Sequence, residues 1–206
     1  LYPYLLAVFA ALLLISNISA VKLIEFGPIV ADGGAFLFPL VYVIGDILAE
    51  VYGFKATRRA IFTGFSLSVL AALTFWAVQR APYPMAWTQQ EAFIAILGFV
   101  PRIVLASVLG FLAGQLLNAF VLVKIKTRFG EGKLWVRLVG STVVGEFADT
   151  FIFCTIAFYG VITGDEFLRY VIFGYIYKTM VEVVLLPITY PVIAFVKHYE
   201  ARHDTE

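Results

Sequence analysis

Charge is what this sequence has least of. Only 14% of its 206 residues are charged, whereas 62% are hydrophobic and the mean hydropathy is +0.93. Soluble domains carry roughly 25% charged residues, so an ordinary water-soluble fold is excluded and an integral membrane protein is expected. A net charge of +1 gives no basic field for nucleic acid. Histidine is nearly absent: His198 and His203 both lie in the polar C-terminal tail, which excludes a histidine metal site or a Ser-His pair within the membrane. The single cysteine, Cys154, excludes an intramolecular disulfide. There is no low-complexity segment, linker or internal repeat, and no motif that calls for a cofactor.

What fills the chain instead is a succession of apolar stretches. Crossing ~30 Å of hydrocarbon takes about 20 residues at 1.5 Å each. Six stretches qualify, at about 3–21, 35–52, 60–79, 103–123, 136–160 and 170–196, which predicts an all-α, six-helix transmembrane bundle forming a single domain over 1–206. Ile18-Ser19-Ala20 in the first stretch resembles a signal-peptide cleavage site, but the stretch has no basic segment before it and is expected to be a span. Between the first two spans, KLIEFGPIVADGGA has the glycines and alternation of a short hairpin or re-entrant loop. The segment 82–101, bounded by prolines, reads as a short interfacial helix. Lys55, Arg58 and Arg59, then Lys124, Lys126, Arg128, Lys133 and Arg137, then Lys197 and Arg202 follow the even-numbered spans, against Lys22, Arg80, Arg102 and Arg169 on the other side. Basic residues collect in cytoplasmic loops, so both termini are expected there.

Against this background the polar residues inside the spans are informative. A charge at a helix centre costs about 2.5–3.5 kcal/mol on the insertion scale, so such side chains face a protein interior or a wet cavity. Asp46 and Glu50 are one pair at i, i+4; Lys178 and Glu182 are another; Glu146 and Asp149, like Gln115 and Asn118, are spaced i, i+3. Each pair shares one helix face. Tyr42 and Tyr175 extend two of these faces, and Asn17 adds an amide in the first span. Faces of this kind are expected to converge on a polar site. Lys178 is expected to pair either with Glu182 along its helix or with an acid on another span. Five acids against one lysine leave an excess of negative charge, to be met by protonation or by a bound ligand or cation. The third span carries only hydroxyls in its body and is expected to be structural or lipid-facing. Gly110 and Gly114, and Gly140, Ser141 and Gly145, are expected to let helices approach closely. Pro39, Pro187 and Pro191 predict local breaks.

FPLVYVIGDILAEVYG at 38–53, GSTVVGEFADTFIF at 140–153 and YKTMVEVVLLPITYPVI at 177–193 resemble the queuosine-precursor transporters of the vitamin-uptake-transporter family. The resemblance covers essentially the whole chain. It implies uptake of a 7-deazaguanine across the bacterial cytoplasmic (inner) membrane. It also implies a bundle similar to the substrate-binding components of energy-coupling-factor transporters, working without a dedicated ATPase. A guanine-like edge offers N1–H and an exocyclic amine to one carboxylate, while its carbonyl and ring nitrogens need donors. On that basis Glu50 or Glu146 grips the donor edge, Asp46 and Asp149 bind a coupling proton or orient neighbours, and Gln115, Asn118 and Lys178 complete the site. An aminomethyl form of the base would offset part of the negative excess. The partners expected are this small molecule and the lipid bilayer, with a homo-oligomer left open.

Three rivals were weighed. An intramembrane aspartyl protease using Asp46 and Asp149 lacks the Gly-x-Gly-Asp arrangement that such an enzyme needs. An ion channel calls for rings of like charge rather than a mixed set of acids, amides and a lysine. A vitamin- or nucleobase-binding component served by an ATP-driven module is the third, with Ala7 and Ala11 of the first span as a small-residue docking face.

Overall fold

A computed structural model describes residues 1–27, 29–129 and 134–203. Pro28 and Lys133, and the side chains of Lys126, Arg128, Arg137, Ser141, Glu182, Arg202 and His203, lie outside the described residues. The elements are α1 (Tyr2–Ser19), β1 (Leu23–Phe26), β2 (Ile29–Asp32), a 3-10 turn (Gly33–Phe36), α2 (Phe38–Val78), α3 (Gln90–Leu97), α4 (Val100–Phe129), α5 (Leu134–Phe158) and α6 (Asp165–His203). They divide into two units. One holds Leu1–Lys22, Asp32–Pro101 and Val181–Glu206; the other holds Leu23–Ala31 and Arg102–Met180.

Among the described residues three helical stretches are long and apolar enough to cross a membrane: Tyr2–Ser19, Phe38–Val78 and Gln90–Asn118. Asp165–Leu185 and Pro187–Ala201, bent by 51°, make a fourth if taken together. The bend falls at Pro187, which has no N–H to give the preceding turn and whose ring crowds the carbonyl four residues back. The 41 residues of α2 are two helices that meet at Gly53 and not one straight rod.

The reversal expected between the second and third spans falls at Gly53, whose φ of 76° and ψ of 178° are open to glycine and strained for other residues. Tyr52 and Ala56 both meet Tyr2 at the start of α1, the Tyr2 hydroxyl donating to the Ala56 carbonyl at 3.1 Å, whereas Gly34 meets Ser16 and Ser68 meets Asn17 near its end, so the segments on either side of Gly53 run antiparallel. The turn is tighter than a loop over 53–59, because helix resumes at Phe54 and includes Lys55, Arg58 and Arg59. The hairpin is found where it was expected, as a two-stranded sheet of β1 and β2. The short helix expected within 82–101 is α3, in the second half of that segment. Pro82 and Pro84 disfavour helical backbone before them, and α3 begins only at Gln90.

In the first unit α1 lies along α2. Pro3 sits in the first turn of α1, where its missing N–H is not needed. Phe9, Leu48 and Ala60 form a buried cluster with Leu5, Leu6 and Leu13 around it. On α2 the buried residues Ala60, Gly64, Ser68 and Ala72 recur every four positions, a stripe of small side chains. A Cβ at Gly64 would lie 2.9 Å from Leu13 Cδ2, so the glycine sets how closely the helices approach. Asn17, buried in α1, donates through Nδ2 to Ser68 Oγ at 3.3 Å, and Ser68 donates to the Gly64 carbonyl at 3.0 Å. The opposite face of α2 exposes Phe62, Leu67, Leu70, Leu73 and Trp76. Polar residues inside and large apolar ones outside is the arrangement a hydrocarbon solvent requires, and it fits the lipid-facing role expected for this segment. Ile47 packs with Ile193 and Val196 of α6.

In the second unit α4 and α5 meet along glycine. A Cβ at Gly114 would lie 2.9 Å from both Asp149 Cβ and the Gly145 carbonyl oxygen, and one at Gly145 would lie 2.9 Å from Asn118 Cβ. Arg102 closes the end of α5, with Nε donating to the Ile156 carbonyl and an Nη donating to the Tyr159 carbonyl, each at 2.6 Å. These are carbonyls that a helix C-terminus leaves without a partner, and a cation there also meets the negative end of the helix dipole.

Candidate functional site

The second unit assembles the densest set of polar groups. Asp149 follows Glu146 by three residues on α5, and its Cβ rests on Gly114 of α4. Lys178 of α6 reaches it: Nζ donates to Asp149 Oδ2 at 2.6 Å, with the side chains only 18% and 17% exposed. Glu146 is half-buried one turn earlier, and its charge acts on the same ammonium. The ammonium also lies 5.7 Å from the centre of the Phe153 ring, within reach of its negative face. Tyr175, one turn before Lys178, donates its hydroxyl to the Val143 carbonyl at 3.2 Å and meets Phe147 edge-on at 5.7 Å. Asn118 is half-buried beside Gly145; its Oδ1 is buried and accepts no hydrogen bond among the described residues. Gln115 is exposed. Lysine thus bridges helices through Asp149, the interhelical one of its two expected kinds of partner; the side chain of Glu182 lies outside the described residues.

In the first unit the second set lies on α2. Asp46 and Glu50 share an exposed face, while Ile47 and Leu48 between them are buried. Glu50 pairs with Lys197 of α6 at 3.7 Å, with side chains 64% and 52% exposed, a geometry that contributes little to stability. Tyr42 is half-buried, its ring 4.2 Å from that of Phe38. Asn17 has its amide engaged with Ser68 and serves the α1–α2 contact. Among the described residues no three His, Cys, Asp or Glu side chains gather closely enough to hold a metal ion.

Residues 32–192 match the family described as "Putative vitamin uptake transporter". The chain belongs to that family. Its similarity to a Bacillus subtilis protein named probable queuosine precursor transporter is 32% identity over 176 residues, 85% of this chain and 77% of that one. A queuosine precursor transporter of Escherichia coli is 25% identical over 163 residues, 78% of this chain and 71% of the relative. A probable queuosine precursor transporter of Haemophilus influenzae is 26% identical over 168 residues, 78% and 67% respectively. No solved structure matches.

This vitamin uptake transporter is therefore not the aspartyl protease considered from the sequence. The matched region contains every candidate residue except Asn17, in keeping with the packing role that Asn17 has in the structure. Two contributors to the polar sets were not picked out by the sequence reading. Lys197 was counted only toward orientation, although its place on the last helix gave it reach to Glu50. Phe153 is not among the expected site residues, although its i+4 relation to Asp149 places it on the acid's face.

Proposed function

We propose that this transporter imports a 7-deazaguanine queuosine precursor across the bacterial cytoplasmic membrane, as a secondary or facilitated carrier with both termini cytoplasmic. Its architecture in this reading is a single six-span bundle like the substrate-binding components of energy-coupling-factor transporters, with α2 supplying two spans, one on each side of Gly53. The observation that carries the reading is the 32% identity to the Bacillus subtilis relative across 85% of the chain. The α5–α6 polar set supports it chemically. In this reading Glu146 accepts N1–H and the exocyclic amine of the base together, and Lys178, Gln115 and Asn118 serve the carbonyl and ring nitrogens. One ammonium beside two carboxylates carries a net negative charge when all are ionised, which favours an aminomethyl-bearing base. Asp46 and Glu50, with Tyr42, form a separate acidic set assigned to a coupling proton or to orientation, and Glu182 extends the α6 face.

The test is uptake of labelled precursor by cells unable to make queuosine, with D46N, E50Q, E146Q and D149N each compared with the parent. Loss of a charge-assisted hydrogen-bond acceptor costs about 1.5–3 kcal/mol, so E146Q should weaken binding by about tenfold to a hundredfold. Unchanged uptake in all four variants would refute the site. A binding component served by an ATP-driven module remains the second reading, because Ala7 and Ala11 stay exposed on α1. Uptake by this chain alone, in cells without such a module, would dismiss it.

A further inference from the structure

The helix that starts after the reversal at Gly53 presents a stripe found nowhere in the transport reading. Phe54, Lys55, Arg58, Arg59 and Phe62 are all exposed, at positions that share one helix face, while Ala60 and Gly64 on the other side are buried. Phe54 and Phe62 flank Arg58 at four-residue spacing, and the Arg58 guanidinium lies 6.0 Å from the centre of the Phe54 ring. The two rings are 78% and 74% exposed, among the most exposed large apolar side chains in the chain. None of the three cations has an ion-pair partner among the described residues. The sequence supplies none nearby either, since no acid occurs between Glu50 and Glu91.

We infer that this stripe is a binding surface for the headgroup of an anionic phospholipid. The charge pattern selects the phosphate: three cations on two adjacent turns, with no acid beside them, attract a net negative headgroup over a zwitterionic one. The rings select a lipid over a soluble phosphate. Phe54 and Phe62 bury their faces among acyl chains only if the ligand brings them, while Lys55, Arg58 and Arg59 extend along that apolar layer to place their charges at the phosphate level. Because the opposite face is closed against α1, the cations cannot turn inward. Arginine at 58 and 59 adds planar, bidentate donors suited to phosphate oxygens.

The test uses the full chain purified in detergent, with bound phosphatidylglycerol and phosphatidylcholine counted by native mass spectrometry after exposure to equal amounts of each. The parent should retain phosphatidylglycerol preferentially, K55Q/R58Q/R59Q should lose that preference, and each single neutralisation should lower it about fivefold. R58K/R59K, which keeps the charge, should retain most of it. An unchanged preference in the triple variant, at an unchanged melting temperature, overturns the proposal. So does displacement of the lipid by inorganic phosphate, which would mean that the rings play no part. If the triple variant cannot be purified, R58Q alone decides, and no loss of preference there is equally fatal. Uptake is not the readout, so this outcome is independent of the substrate assignment.

Discussion

Removing the two ends of the Lys178–Asp149 bridge should not be symmetrical. At 2.6 Å and less than one fifth exposed, the pair is tight and largely withdrawn from water. Breaking a buried pair from one side costs about 3–5 kcal/mol, and an uncompensated charge within a span costs about 2.5–3.5 kcal/mol on the insertion scale. In K178M both Asp149 and Glu146 lose the ammonium that acts on them, and a cost near the low end of those ranges, about 3 kcal/mol, is expected. In D149N the ammonium keeps the nearby Glu146 charge and the face of Phe153, so the cost should be roughly half as large, about 1–2 kcal/mol. The double variant removes the uncompensated lysine and one acid together, and should recover part of the loss. A coupling energy of about 1–3 kcal/mol is expected for residues in direct contact. The assay is reversible unfolding in mixed micelles of the parent, both single variants and the double variant. Additive losses, or a D149N variant less stable than K178M, would refute this account of the site's electrostatics.

Gly114→Ala should destabilise by about 1–3 kcal/mol, because its Cβ would fall 2.9 Å from Asp149 Cβ and from backbone that cannot give way. Gly45→Ala, whose Cβ meets only Phe9 Cε2 at 3.7 Å, should melt within a degree or two of the parent and serves as the control. Gly53→Ala forces a left-handed φ of 76° on a residue with a side chain, at a cost of about 1–3 kcal/mol. That loss should appear in the same unfolding measurement without any change in helical circular dichroism.

The helices, and the pairs of polar residues that share a helix face, were legible because they depend on local spacing. Asp46 with Glu50 does share a face, and the small residues at 110, 114 and 145 do bring helices together. What spacing could not convey was which partner a long side chain takes. Lys178 has an acid one turn ahead in sequence and another 29 residues back. Its flexible stem reaches either, and the bridge to Asp149 depends on where α5 stands, which the packing of Gly114 against Asp149 fixes and no local spacing conveys. Arg102 was read as a marker of orientation for the same reason, since the carbonyls it closes belong to residues 54 and 57 positions away. The reversal after the second span was legible in place, but not its tightness: Gly53 alone turns the chain, and helix resumes at once through Lys55, Arg58 and Arg59, because Lys and Arg are good helix formers.

The polar residues of this transporter consequently separate by what their hydrogen bonds accomplish. Asn17 and Ser68 meet each other as a neutral pair, and Arg102 meets carbonyls at the negative end of the α5 dipole. Interhelical bonds of the first kind average only about 0.6 kcal/mol, so they fix where helices sit without dominating stability. The α5–α6 set differs, because one lysine faces two acids. A protein that only needed adhesion between these helices could have used another amide pair, at far lower insertion cost. Keeping ionisable groups there is worthwhile if their imbalance is met by something that arrives and leaves, and a donor-rich, positively charged base is a ligand that would do so. The same argument assigns Glu50 a different status: its partner Lys197 is at 3.7 Å and exposed, so little structure depends on it and its loss would be read in transport rather than in folding.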